Sequence, residues 1–232
     1  MNTSRQEVKL IAGDHIILPS ETEKLLGCNV HQDLKWKNHI MTNEHSLIRK
    51  LTSRVNALSK IAVNSTFQTR LMTANGVFMS VLSYLIPLWG GCEAYLWKGL
   101  QVLQNRAARC VTGLSWFTST RKLLSHCNWL SIRQLVFYHT VLSTYKVLDS
   151  QKPLYLSSKL VRDHPYRTRL ASSGGLRYKE GHGVDSSLTH KSFINRAIRD
   201  FNSIPADLKT TKTLNNFKKK LKIWIKSNIP ID

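Results

Sequence analysis

The stretch Tyr84 to Gly113 sets the tightest limit on what this chain can fold into. An apolar run, Val77 to Trp89, leads into it, and a helical pattern of aliphatics and cations leads out. Between the two stand Pro87 and the pair Gly90-Gly91, so one helix cannot pass through and the chain must turn. Before the turn, Ser65 and Thr66 offer an N-cap for a helix that faces Leu71, Ala74, Val77, Phe78, Val81, Leu82 and Leu85 inward. Pro87 is expected to end that helix, because the residue before a proline is pushed out of the helical region. After the turn, a helix from Tyr95 to Val111 buries Leu96, Leu100, Leu103, Ala107 and Val111, with Gly113 as C-cap. Gln101, Gln104, Asn105, Arg106 and Arg109 are expected on its other side.

The rest of the chain reads around this turn. Residues 5–34 carry short β-prone runs, Val8-Leu10-Ile11 and Ile16-Ile17-Leu18, broken by Gly13-Asp14 and Pro19. Ser20-x-x-Glu23 also fits a capping box, so a helical turn competes there. From Lys37, Ile40, Leu47, Ile48, Leu51, Val55, Leu58 and Ala62 recur at helical spacing. A short, partly helical segment covers 119–130. A long helix follows from Ser131 to about Leu148, with Ile132, Leu135, Val136, His139, Leu142 and Tyr145 inward. His139 on that apolar stripe, like His126 beside Cys127, reads as a structural histidine without a catalytic partner. Residues 151–190 are rich in Pro, Gly and Arg and read as a linker, a binding arm or both. Phe193 to Asn202 and Leu214 to about Ser227 close the chain as helices. These shifts divide it into 1–36, 37–150, 151–190 and 191–232.

Charge narrows the partners. Lysine and arginine outnumber aspartate and glutamate 34 to 14, a net charge of +20. The excess grows along the chain, from +3 over 1–60 to +6 over 61–150 and +11 over 151–232. Such a gradient calls for nucleic acid or an anionic membrane as the counter-ion, against the blander reading of a merely soluble basic surface. The candidate phosphate contacts are Arg106 and Arg109, three apart on one helix; Arg167 and Arg169 in the arm; and Lys218, Lys219, Lys220 and Lys222 at the end. Tyr166 and Tyr178, interleaved with arginines, are candidates for stacking on bases. A membrane span is not expected, since the run Val77 to Trp89 is short and broken, and the N-terminus lacks a secretory pattern. The lysine-rich last helix resembles a membrane-surface helix too, though nucleic acid fits the rest of the chain better. Cys28, Cys92, Cys110 and Cys127 have no zinc spacing and read as reduced, in an intracellular protein. Asn64-Ser65-Thr66 is then a turn and cap, not a glycosylation site.

Catalytic chemistry has no visible carrier. Nucleotidyl transfer needs clustered carboxylates to hold Mg²⁺, and no two acidic residues are adjacent in the chain. Glu21-x-Glu23 is the nearest approach, and a solvated strand edge explains it. P-loop, G-x-S-x-G and H-E-x-x-H patterns are missing. The residues alone therefore describe a binding module with no catalytic or metal site.

A family resemblance sharpens this. Leu25-Leu26-Gly27 with Leu34-x-Trp36-x-x-His39-Ile40 resembles the segment just after the catalytic palm of LINE-type (non-LTR, jockey-like) retrotransposon reverse transcriptases. Tyr84, Trp89, Leu103-Gln104-Asn105-Arg106-Ala107-Ala108-Arg109 and Gly113 are similar to the next block. Trp129-Leu130-Ser131, Tyr145-Lys146-Val147-Leu148, Arg196-Ala197-Ile198, Phe201-Asn202-Ser203-Ile204-Pro205 and Leu214 to Leu221 continue it in order. The resemblance implies a mainly α fold: a helical thumb-like bundle over 37–150, an N-terminal β-hairpin remnant of the primer grip over 23–30, and a C-terminal basic helical extension. It implies template–primer binding through the backbone, and a nuclear location. The family's palm, with its aspartate pair, lies upstream of the matched motifs, so no polymerase activity is expected of this chain, and Mg²⁺ only of the intact parent enzyme. Arg5 stands where the family has lysine, His31 where it has aspartate, and Cys28 where it has an aliphatic. Three other readings stay open: a helical protein-interaction fragment, self-association or docking to the missing palm through exposed apolar surface, and a decayed reading frame with no selected function.

Overall fold

The computed structural model describes residues 10–162, 172–178 and 192–231, and they are mainly helical with short antiparallel hairpins at the N-terminal side. Strands β1 (Leu10–Ala12) and β2 (His15–Ile17) pair with each other, as do β3 (Thr22–Leu25) and β4 (Cys28–His31). The β3–β4 turn has Leu26 at φ 48 and Gly27 at φ 81, so both central residues are left-handed. That turn matches the natural twist of the strands, and Gly27 adopts it without cost. The Tyr84 hydroxyl donates to the Leu26 carbonyl at 2.8 Å and ties the hairpin to the central hinge. The capping-box reading of Ser20 loses, because its hydroxyl donates instead to the Thr22 carbonyl as the strand begins.

The first amphipathic stretch is not one helix. A π-type turn over Asn38–Thr42 is separated from helix α1 (Leu47–Ala62) by a break at Asn43. The Asn43 side chain accepts from the His45 amide at 2.8 Å, a local bond that competes with helix continuation. The second stretch likewise departs from expectation. Helix α2 (Phe67–Ala74) passes through π-type turns over Asn75–Met79 into α3 (Ser80–Ser83) and stops there. Tyr84 is extended and Leu85 left-handed at φ 53, so the break precedes Pro87 by three residues. Pro87 starts a new turn, α4 (Ile86–Trp89), where its missing N–H is no loss.

Helix α5 (Ala94–Thr112) then packs against α1 and α6 (Thr120–Cys127), with Gly113 as its left-handed C-cap, as expected. Helix α7 (Ile132–Ser150) opens on a capping box formed by Ser131 and Gln134. The expected inner face is buried except for partly exposed His139, and Thr140, Val141, Thr144 and Val147 are buried as well. Being apolar on most sides makes α7 the central rod.

The closing helices are α9 (Phe193–Ser203), α10 (Ala206–Lys209) and α11 (Leu214–Asn228), after a single turn α8 (Leu154–Ser157). α9 and α11 pack on α7, so Phe201, Phe217, Leu221 and Ile225 share one core with residues of 37–150. Phe217 stacks on Tyr145 with centroids 4.1 Å apart, and the Tyr145 hydroxyl donates to the Thr211 carbonyl at 2.7 Å. Within the loop-rich stretch, β5 (Leu160–Val161) pairs with β6 (Arg177–Tyr178). Asn202 holds that pairing to α9 by bonding both the amide and the carbonyl of Leu176.

One buried cation joins these parts. Arg196 of α9 is only 3% exposed. Its guanidinium donates to the Thr140 hydroxyl at 3.2 Å and to the Pro87 carbonyl. Gly90 lies directly beneath, where an added Cβ would sit 2.6 Å from the Ile86 carbonyl oxygen and 2.8 Å from Val136. Gly90→Ala is therefore expected to cost about 2–3 kcal/mol through forced displacement. Arg196→Ala should cost a similar amount, about 3 kcal/mol, by stranding the Pro87 carbonyl and emptying the space of the buried side chain. Urea unfolding checks both, and an unchanged midpoint in either variant would refute this account of the joint.

Candidate nucleic-acid interface

Helix α5 carries the first candidate pair, and its polar side divides in two. Gln104 is fully buried, donating to the Leu130 carbonyl at 2.9 Å. Gln101 donates to Gln104 and Asn105 and accepts from the Ile132 amide, while Asn105 donates to the Thr120 hydroxyl at 2.8 Å. These amides were expected on the outer side; they instead bond α5 to α6 and to the start of α7. Helical spacing leaves Tyr95, Lys98, Val102, Arg106 and Arg109 on the free arc. That arc is about 21 Å long at 1.5 Å per residue, or about six steps of a duplex strand.

Arg106 and Arg109 are both half-buried on this arc. Arg109 has a structural task as well. Its Nη2 donates to the Trp116 carbonyl at 2.9 Å, and its guanidinium lies 4.5 Å from the Trp116 ring centroid. Neither of these bonds uses Nη1, which leaves donors for a phosphate.

The other candidates lie elsewhere. Arg167, Arg169 and Tyr166 fall outside the described residues. Tyr178 is in β6, with the Lys159 ammonium 6.0 Å from its ring centroid. Lys218, Lys219, Lys220 and Lys222 lie on α11, whose opposite side buries Phe217, Leu221 and Ile225. Lys219 and Lys220 are exposed, and Lys218 and Lys222 half-buried. Burial, and next the neighbouring Lys226, lowers the Lys222 pKa. Lys226 itself donates to Asn128 at the end of α6. Cation groups on α5 and α11 thus share α7 as their support.

The sequence shows how little opposes these charges. From Ala94 to Leu148 there is no aspartate or glutamate. Sequence reading overlooked Trp116 and Phe117, which stand exposed in the loop between α5 and α6. The available signal was an aromatic pair between the Gly113 cap and the Ser119 cap, inside that acid-free run.

No group of three or more His, Cys, Asp or Glu among the described residues can hold a metal ion. The described cysteines are free thiols, and burial pushes Cys92 up to about 12 and Cys127 up to about 11. His39 is structural: its Nδ1 accepts from the Asn29 amide at 3.3 Å, so the proton sits on Nε2, facing Cys28 Sγ at 3.7 Å. None of the helices among the described residues is long and apolar enough to cross a membrane. No family model, curated protein or solved structure matches the chain.

Burial, with a lesser contribution from a nearby lysine, lowers His39 and His139 from 6.5 to about 4. The unfolded chain therefore binds more protons between pH 6.5 and 4, and stability falls as pH falls through that window. The loss should reach roughly 2 kcal/mol for His39 at pH 5, and less for the more exposed His139. Urea midpoints at pH 7 and pH 5 measure it, and equal midpoints would contradict the neutral, buried His39.

Proposed function

We propose that this chain is the thumb-side, C-terminal portion of a LINE-type reverse transcriptase, and that it binds RNA, DNA or their hybrid through the phosphate backbone. It does not polymerise by itself, and it works in the nucleus. The observation that carries binding is the unopposed charge: 34 basic against 14 acidic residues, with an acid-free run that includes the α5 arc. A polyanion gains by releasing its counter-ions to such a surface, whatever its sequence.

The family reading draws support from what the signature residues do. Tyr84 ties down the hairpin, and Trp89 donates its indole N–H to the Tyr84 carbonyl. Gln104, Asn105 and Arg109 join α5 to its neighbours, and Arg196 and Asn202 fasten α9. Residues matched as motifs are thus the polar joints of the fold, as a family's shared scaffold would require.

A second reading rests on a different observation. Ile11, Ile16, Leu18, Leu25, Leu26 and Leu34 are all exposed along the two N-terminal hairpins. An apolar surface of this kind marks a docking face for protein. Gel filtration separates the readings. A monomer that shifts only on adding duplex supports nucleic-acid binding, whereas concentration-dependent association without nucleic acid supports the second.

Affinity for a primer–template duplex is expected to fall about 10³-fold or more between 50 and 200 mM salt, the mark of six or more phosphate contacts. The variant K218A/K219A/K220A should flatten the salt slope by about two to three. A slope near zero in the wild type would defeat the proposal. Primer extension with Mg²⁺ tests the lack of polymerase activity, and any extension by the purified chain would overturn that part.

A further inference from the structure

We propose that the loop Ser115–Thr118 is a stacking platform for unpaired bases, with Trp116 and Phe117 as its two surfaces. This rests on the nucleic-acid reading above and adds a site to it.

Large aromatics are usually covered, yet Phe117 is 94% exposed and Trp116 67%. The loop that presents them is well bonded. The Thr118 amide donates to the Ser115 carbonyl at 3.0 Å, and the Phe117 amide to the Ser115 hydroxyl at 3.4 Å. From below, Arg109 holds the loop through the Trp116 carbonyl at 2.9 Å and the Thr118 carbonyl at 3.5 Å. The Ser119 hydroxyl accepts from the Lys122 amide as α6 begins, so the far end of the loop is anchored too. These bonds fix the loop's backbone, so presenting the two rings costs little further backbone entropy on binding.

The chemistry around the rings selects the occupant. Arg109 covers one face of the indole as a cation–π partner, and the ring's exposure leaves the opposite side open to a flat, electron-poor π-system. Arg70 lies beside Gly113, with its Nη1 3.8 Å from where a Cβ would be. The Nε atoms of Arg70 and Arg109 are shielded from water and have no acceptor among the described residues. Arg106, one turn before Arg109, and Arg121 and Lys122 at the start of α6 add further positive charge, and the nearest acids in sequence are Glu93 and Asp149. An aromatic tip clasped by Arg109, in a stretch of sequence that carries further cations and no acid, pairs a stacking surface with phosphate neutralisation, as single-stranded nucleic acid requires. The loop follows directly on the C-terminal end of α5, so it continues the arc of Lys98, Arg106 and Arg109.

The test uses the full chain and three probes: a (dT)20 oligonucleotide, a blunt duplex of equal length, and vesicles of phosphatidylcholine with phosphatidylserine. Trp116→Ala and Phe117→Ala should each weaken (dT)20 binding about tenfold, and the double variant about a hundredfold. Blunt-duplex affinity should stay within about twofold, and the (dT)20 salt slope should not change, because no phosphate contact is removed. Trp116→Tyr should restore most of the loss. Thermal melting checks the fold, and because both rings are exposed it should be unaltered in Phe117→Ala.

If the wild type binds (dT)20 with a normal salt slope and the double variant binds equally well, the platform is wrong and the backbone-binding reading stands. A double variant that loses vesicle binding while keeping (dT)20 binding also overturns the platform, making the loop a membrane-insertion tip. Failure of the wild type to bind any nucleic acid would overturn both.

Discussion

The buried guanidinium of Arg196 is the interaction on which the arrangement of helices depends. A cation taken out of water costs several kcal/mol unless its hydrogen bonds are replaced. Here the replacements come from separate parts of the chain: the Pro87 carbonyl in the one-turn α4, and the Thr140 hydroxyl on α7. A helix of one turn leaves its last carbonyls without amides above them, so Pro87 presents an acceptor that needs a donor. Gly90 keeps the space open for that donor to arrive. The hinge, the central helix and α9 thus satisfy one another, and none of the three keeps its polar groups paired without the others.

That joint also explains why residues 192–231 fold back instead of trailing away. Once Arg196 is seated, Phe201 and Ile204 enter the core, and the chain continues through α10 to bring Phe217 onto Tyr145. The Gln134 side chain closes the circuit, donating to the Ile229 carbonyl at 2.7 Å near the chain's end. Because α7 is buried on most sides, both α5 and α11 rest on a rod with little freedom to shift. Their outward cations inherit that fixed spacing.

Much of this fold was legible in the sequence because it rests on periodicity. The bounds of α5, α7, α9 and α11 follow from apolar residues three and four apart, and the caps Thr66, Ser131 and Gly113 are where the residue types demand them. The breaks were less legible. Asn43 stops a helix by bonding its own neighbourhood, and at Ser83–Leu85 the chain turns before the proline expected to turn it. Arg196 was invisible as a joint, since a cation on an amphipathic helix ordinarily faces water and only tertiary partners make burial tolerable. The candidate cations on α5 and α11 were legible as helix surface, but the clamp of Arg109 on Trp116 joins residues in a segment with no period at all.

The fate of the amides on α5 bears most directly on what the surface can recognise. Asparagine and glutamine are the side chains that can read an adenine edge with two hydrogen bonds, as arginine reads guanine. On α5, Gln101, Gln104 and Asn105 are all spent on neighbouring carbonyls, hydroxyls and amides inside the bundle. The free arc keeps Lys98, Arg106 and Arg109, and Arg109 is partly committed to its loop. What faces outward is charge and aromatic surface without the amides that read adenine, and it suits the proposed contact with phosphates and the faces of bases. Under the proposed function, a surface whose α5 amides are turned inward is suited to holding a strand by its backbone, and its arginines remain as the side chains able to read a base edge.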